Sequence, residues 1–163
     1  MEYRAIRKAA YEANVAIQDG GLVVLTWGNA SAADHDAGVY AIKPSGVSYA
    51  ELTPDAMVIV GIETGEVVAG DLRPSSDNAT HQRLYRGFAG VGGIVHTHSR
   101  CATSFAQAAR PIPCLGTTHA DHFAGEVPVA RHPEQSEIDE GYEAATGDII
   151  VEYFREAGAD PLH

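Results

Sequence analysis

The sequence predicts an α/β fold in one domain, and three observations carry that expectation. The N-terminal segment repeats apolar residues at helical spacing. Residues 38–68 hold short β-type runs separated by turn signals, and the second half alternates a strand ending in two histidines with helical segments. A length of 163 residues suits one domain, and a chain of that size can bury about 70 % of its unfolded surface.

The first element is a helix from about Tyr3 to Gln18. Ile6, Ala9, Ala10, Ala13 and Ile17 form its inner stripe, and Gly20-Gly21 stops it. Leu22 to Trp27 is a β-type run that breaks at Gly28-Asn29, with Trp27 expected in the core rather than stacked on a ligand. Gly38 to Lys43 is a second strand, ended by the turn Pro44-Ser45-Gly46. Thr53-Pro54-Asp55 starts one helical turn. Met57–Val60 and Glu66–Val68 then flank Glu63-Thr64-Gly65 as a hairpin. The first half thus reads as a helix followed by an antiparallel meander.

Arg73-Pro74-Ser75-Ser76-Asp77 precedes a helix from about Asn78 to Phe88, with Leu84, Tyr85 and Phe88 on its inner face. Serines and an aspartate there cap a first turn or serve a site. Gly92 to Ser99 reads as a short buried strand ending in His96-Thr97-His98. Alternation puts both histidines on one face, roughly 6.5–7 Å apart along the chain. Two imidazoles so placed can converge on one cation, or can simply be half-exposed residues with water and backbone partners. Ser99 is the N-cap of a helix from about Arg100 to Ala109. Ile112–Thr117 is a further strand, held to a sheet edge by Pro113. Thr118–Phe123 is a polar loop and Val127–Ala130 a short strand. Ser136–Ala145 and Asp148–Ala157 are helices, the second capped by Asp148 and closed by Gly158.

The net charge of -11 argues against nucleic acid and anionic membrane as partners. The two cysteines, Cys101 and Cys114, are too few for a disulfide framework and read as small buried hydrophobes. No apolar run reaches membrane length and the N-terminus has no signal core, so a reduced, cytoplasmic setting is expected. His35, His81 and His132 read as surface residues. His119 and His122 more simply flank a loop or face solvent than ligate.

Gly28-Asn29, Ser45-Gly46 and Ser75-Ser76 are small polar pairs at strand ends or a helix start. Singly each is a plain turn. Together, with Lys43 nearby, they can offer N–H groups and hydroxyls to a phosphate.

At these residues the sequence resembles the class II aldolase/epimerase family. The likeness lies in Thr26–Ser31, Ile42–Val47, Pro74–Asp77, Ile94–Ser99 and Gly116–Asp121, five motifs in order. Within the family it looks most like the branch that epimerises L-ribulose 5-phosphate, since Asp77 stands where aldolases of the fuculose-phosphate type carry a glutamate base. The resemblance implies a three-layer α/β/α domain over residues 1–163, with a central mainly antiparallel sheet. It also implies a homotetramer with sites between subunits, and bound Zn2+ or another divalent metal such as Mn2+. Carried over, His96 and His98 would be metal ligands, and Asp77 would sit at the metal or beside it. Asp121 would be an acid/base residue, and Gly28, Asn29, Ser45, Gly46, Ser75 and Ser76 would hold the substrate phosphate. The implied reaction is retro-aldol C4 epimerisation between L-ribulose 5-phosphate and D-xylulose 5-phosphate, an isomerase step of arabinose catabolism. A fuculose-phosphate-type aldolase and a non-catalytic module like the adducin head stay open as alternatives. The family's third metal histidine and a catalytic tyrosine would fall beyond Pro161-Leu162-His163, so the chain is expected to be a C-terminally incomplete domain, not catalytically complete by itself.

Overall fold

The computed structural model describes residues 3–123 and 125–158. Helix α1 (Arg4–Asp19) is followed by β1 (Asn29–Asp34) and β2 (Val39–Ile42). Two short 3-10 turns (Tyr49–Glu51 and Pro54–Ala56) lead into β3 (Val58–Gly61) and β4 (Val67–Ala69). Then come α2 (Asn78–Gly87), β5 (Gly93–His96), α3 (Arg100–Gln107), α4 (Thr117–Ala120) and α5 (Gln135–Ala157). The strands form one sheet in the order β4-β3-β2-β1-β5, and every pairing is antiparallel.

The sheet is the middle of three layers because β2 and β3 are apolar at every position. Val39 and Ala41 of β2 and Ile59 of β3 turn towards α1, where Ala10 and Ile17 meet them. Tyr40, Ile42, Val58 and Val60 turn the other way and pack with Tyr85 of α2. A strand buried on both faces loses the alternation of a half-exposed one, as these two do. Helix α5 lies on α2. They approach closely at Gly147, where an added Cβ would stand 2.6 Å from the Arg83 Cβ and 2.9 Å from the Thr80 carbonyl oxygen. The predicted α/β class, central antiparallel sheet and helical layers are therefore observed.

Several element expectations are corrected. Leu22–Trp27 is not a strand. Val24 and Trp27 close on each other in a tight turn, Leu25 adopts φ 57°, and Leu22, Val24, Leu25 and Trp27 stay exposed while Val23 packs on the core beside α1. Among the described residues no neighbouring strand takes up this run's backbone, so β propensity alone does not make it one. Ile112–Thr117 and Val127–Ala130 meet only through the single bridge Ile112–Val127. The expected loop at Thr118–Phe123 begins instead within α4. The two C-terminal helices run as one from Gln135, and the break falls at Gly141 (φ 153°) rather than before Asp148. Arg131 spans that kink, holding Glu137 on one side and Glu152 on the other, each at 2.8 Å. Gly158 does close α5, in the left-handed region. β5 is an edge strand and not a buried one, with Val95 exposed. Cys101 and Cys114 are both exposed. Among the described residues no helix is long and apolar enough to cross a membrane. Pro161-Leu162-His163 lies outside the described residues.

Candidate active site

The site gathers where three parts of the sheet end on one side. Asn29 opens β1 and is paired in register with His96, the last residue of β5. Gly28 precedes it at φ 96°, and a side chain there would press on the His96 carbonyl oxygen and on Val23. Only glycine combines that backbone conformation with that close approach. The third part is the end of β2. Pro44 bridges to Pro74, with Ser45 N–H donating to Arg73 O at 2.9 Å and Ser75 N–H to Lys43 O at 3.0 Å. This short ladder lays the Ser45-Gly46 and Ser75-Ser76 turns side by side and leads into α2 at Asp77.

These segments enclose a cavity of about 420 Å3. All nine of the residues expected to bind phosphate or metal line it: Gly28, Asn29, Ser45, Gly46, Ser75, Ser76, Asp77, His96 and His98. Asp121 does not. It caps the far end of α4 and is exposed. Lys43 also lines the cavity, but its ammonium points into the fold, donating to Val47 O at 2.6 Å and lying over the Tyr49 ring. Burial lowers its pKa. Lys43 therefore shapes the Ser45-Gly46 turn from behind. The N–H groups of Gly46 and Ser76 take part in no hydrogen bond among the described residues, and so are left to meet an anion.

The polar centre is Asp77. Its Oδ2 accepts from His96 Nδ1 at 2.8 Å and from Asn29 Nδ2 at 2.5 Å. Burial would raise the Asp77 pKa, but the hydrogen bond and charge of His96, the Asn29 amide and the nearby His81 outweigh it and hold the carboxyl below its usual range. An ionised carboxylate only accepts, so Nδ1 of His96 carries the hydrogen. The hydrogen bond to Asp77 in turn raises the His96 pKa. Asn29 Nδ2 also reaches Ser75 Oγ at 3.3 Å, while its Oδ1 is buried with no partner. The Asn29 amide nitrogen is thus committed to its protein neighbours.

His96 and His98 lie on one side, as the alternation predicts, with ring centroids 4.7 Å apart and planes inclined by 35°. The Trp27 ring is 5.8 Å from that of His98. Trp27 is 57 % exposed at the rim, against its expected place in the core. As to metal, the donor chemistry fits a borderline cation. Two imidazoles face one space, and the carboxylate on His96 Nδ1 leaves Nε2 as the nitrogen that would ligate a cation, the arrangement typical of metal-bound histidines. No cluster of three or more His, Cys, Asp or Glu poised for a metal is found among the described residues, so this chain's described part supplies a partial ligand set.

Sequence reasoning missed three things here. His81 is 1 % exposed, not a surface residue. Its Nδ1 and the Tyr85 hydroxyl both lie 2.7 Å from Ser31 Oγ, and burial drives its pKa down to about 4. Its position on the inward stripe, four residues before Tyr85, was the available signal. Tyr142 and Glu143 line the cavity, carried in just after the Gly141 kink. Nothing local in the sequence announces that.

The profile of the family described as "Class II Aldolase and Adducin N-terminal domain" matches residues 8–160. The chain belongs to that family. Among solved structures, an L-fuculose 1-phosphate aldolase is 25 % identical, with a TM-score of 0.70, over 87 % of this chain and 66 % of its own. The L-fuculose-1-phosphate aldolase of Thermus thermophilus is 26 % identical, with a TM-score of 0.66, over 91 % of this chain and 73 % of its own. YgbL of Escherichia coli, titled a putative aldolase/epimerase/decarboxylase, is 22 % identical with a TM-score of 0.69 over 96 % of this chain and 72 % of its own, and shows the shared fold. The chain therefore spans between 66 % and 73 % of the length of these relatives.

Proposed function

We propose that this chain forms the phosphate-binding and metal-binding wall of an enzyme that breaks and remakes a carbon–carbon bond in a phosphorylated ketose. The specific reading is epimerisation of L-ribulose 5-phosphate at C4 to D-xylulose 5-phosphate. The observation that carries it is the Asp77–His96–His98 group, set across one cavity from the paired Ser45-Gly46 and Ser75-Ser76 turns. The lining of that cavity offers both unpaired N–H groups and hydroxyls for an anion and imidazole nitrogens for a cation. A bound divalent cation, Zn2+ or Mn2+, would lie against His96 and His98 and supply Lewis-acid polarisation of the ketose oxygens. Asp77 acts behind His96, fixing its tautomer and ring orientation.

In the proposed reaction the C4 hydroxyl gives up its proton and the C3–C4 bond breaks. This leaves an enediolate and glycolaldehyde phosphate. The Gly46 and Ser76 amides keep the phosphate in place while the aldehyde turns over. The bond then re-forms on its other face, the oxygen regains a proton, and C4 is inverted. Asp121 is the proposed proton carrier on one face, and a proton-transfer group of this kind contributes about 10²–10⁴-fold. Its place outside its own chain's cavity suits a homotetramer in which a neighbouring subunit closes the site. A cytoplasmic enzyme of arabinose catabolism is the corresponding setting.

The names of the L-fuculose 1-phosphate aldolases favour a second reading, cleavage without inversion. Incubation with L-ribulose 5-phosphate separates the two. Inversion at C4 with no free glycolaldehyde phosphate supports the epimerase; net release of an aldehyde and a ketose fragment supports the lyase. Absence of both reactions and of metal binding would favour a non-catalytic module like the adducin head.

A further inference from the structure

We propose that the groove between the first turns of α1 and the Pro54–Ala56 turn is a second binding site, for the phosphate group of a small hydroxylated molecule. It is a cavity of about 510 Å3 and shares no residue with the His96 cavity. Arg4, Arg7, Lys8, Tyr11 and Glu12 form the helix wall, and Pro54 and Asp55 the other, so three cations share the groove with two acidic residues. The spacing i, i+3, i+4 puts all three cations on one face. They are three of the chain's 11 Lys and Arg, gathered within five positions of a protein of net charge -11.

Arg7 decides the reading. It is 7 % exposed, and its guanidinium donates through Nη1 to two neutral acceptors, Asp55 O at 2.9 Å and Met57 O. Its Nε is buried with no partner, and no carboxylate forms an ion pair with it among the described residues. A buried charge facing only carbonyls is uncompensated, and an anion held by Arg4 and Lys8 in the groove beside it would offset that charge through its field, not by contact with the buried Nε. Arg4 and Lys8 stand exposed on either side as further donors. Lys8 reaches Glu12 at 3.4 Å, but both side chains are mostly in solvent and such a pair is easily given up. Asp55 on the facing wall repels a second anionic group and accepts from hydroxyls. That combination favours one phosphate on a polyol or sugar over a dicarboxylate.

The test is isothermal titration of the whole chain at low ionic strength, with inorganic phosphate and with ribose 5-phosphate as probes. The wild type is expected to show two sites per chain. Arg4→Gln with Lys8→Gln, both at exposed positions, should weaken one of them roughly tenfold or more. Ser75→Ala with Ser76→Ala should weaken only the other, so failure of this site and failure of the proposed active site are read separately. Arg7→Met should abolish the α1 site; if that variant does not fold, the double variant still decides. One phosphate site, lost with the serines, overturns the proposal, as do two sites both indifferent to Arg4 and Lys8. So does a double variant that changes only self-association in sedimentation, since the cationic face would then serve a carboxylate of a second copy.

Discussion

The carboxylate of Asp77 takes the Nδ1 hydrogen of His96 at 2.8 Å, joining the residue that opens α2 to the one that ends β5. This contact sets the imidazole's orientation and tautomer before any cation arrives. On the proposed function, Asp77 would stand behind His96 as a positioning residue rather than at the metal itself. The sequence alone left open whether it stood at the metal or beside it.

Asp77→Asn tests that placement. The amide can no longer act as a charged acceptor on Nδ1, and zinc affinity should fall about 10–100-fold with the fold retained. Calorimetric titration with zinc, beside circular dichroism, measures both. An Asp77→Asn chain that binds zinc as tightly as the wild type would contradict the role.

Asn29→Ala addresses the other hydrogen bond to the same carboxylate. With its amide nitrogen committed to Asp77 and Ser75, Asn29 should act through Asp77. Loss of the amide is expected to weaken zinc binding together with phosphate binding. A variant altered only in its Michaelis constant for a phosphorylated sugar would restore Asn29 to a direct phosphate contact.

Stability against pH should report His81. Its folded pKa is about 4, below the ordinary value of 6.5, because burial disfavours the cation. Between those values the unfolded chain holds more protons. Stability is therefore full above pH 6.5 and is lost as pH falls towards 4, by about 3 kcal/mol. His96, whose pKa is raised, acts in the opposite sense and above 6.5. Asp77, held below 3.8, acts only in stronger acid. Urea unfolding of chelator-treated protein should show this slope, and His81→Leu should flatten it. A wild type equally stable at pH 6.5 and pH 4 would refute the assignment.

Gly147→Ala should loosen α5 from α2. The new methyl would overlap the Arg83 side chain and the Thr80 carbonyl, at a cost of about 1–3 kcal/mol in urea unfolding. A neutral substitution would mean the two helices do not pack as described.

The parts legible in the sequence are those whose signal is local. α1, β2, β3 and α2 follow from periodicity and turn residues, and the pairing of His96 with His98 follows from strand alternation. The clustering of three small polar pairs was also readable, because each ends an element. Leu22–Trp27 misled because β propensity is realised only beside a partner strand, and the run instead turns on itself at Leu25. His81 misled because a histidine in a polar helix looks solvated until Ser31, fifty residues earlier, is brought against it. Asn29 meets Asp77 across forty-eight residues, a relationship no local pattern contains. Asp121, which the resemblance implies is an acid/base residue, lies outside the cavity of its own chain.

The most direct measurement is zinc binding, by calorimetric titration with metal in excess, because the described residues supply a partial ligand set. About one zinc per wild-type chain, absent from His96→Ala and from His98→Ala while both variants stay folded, is the expected result. Zinc bound equally by the wild type and both variants, or by none of the three, would contradict a cation site between these imidazoles.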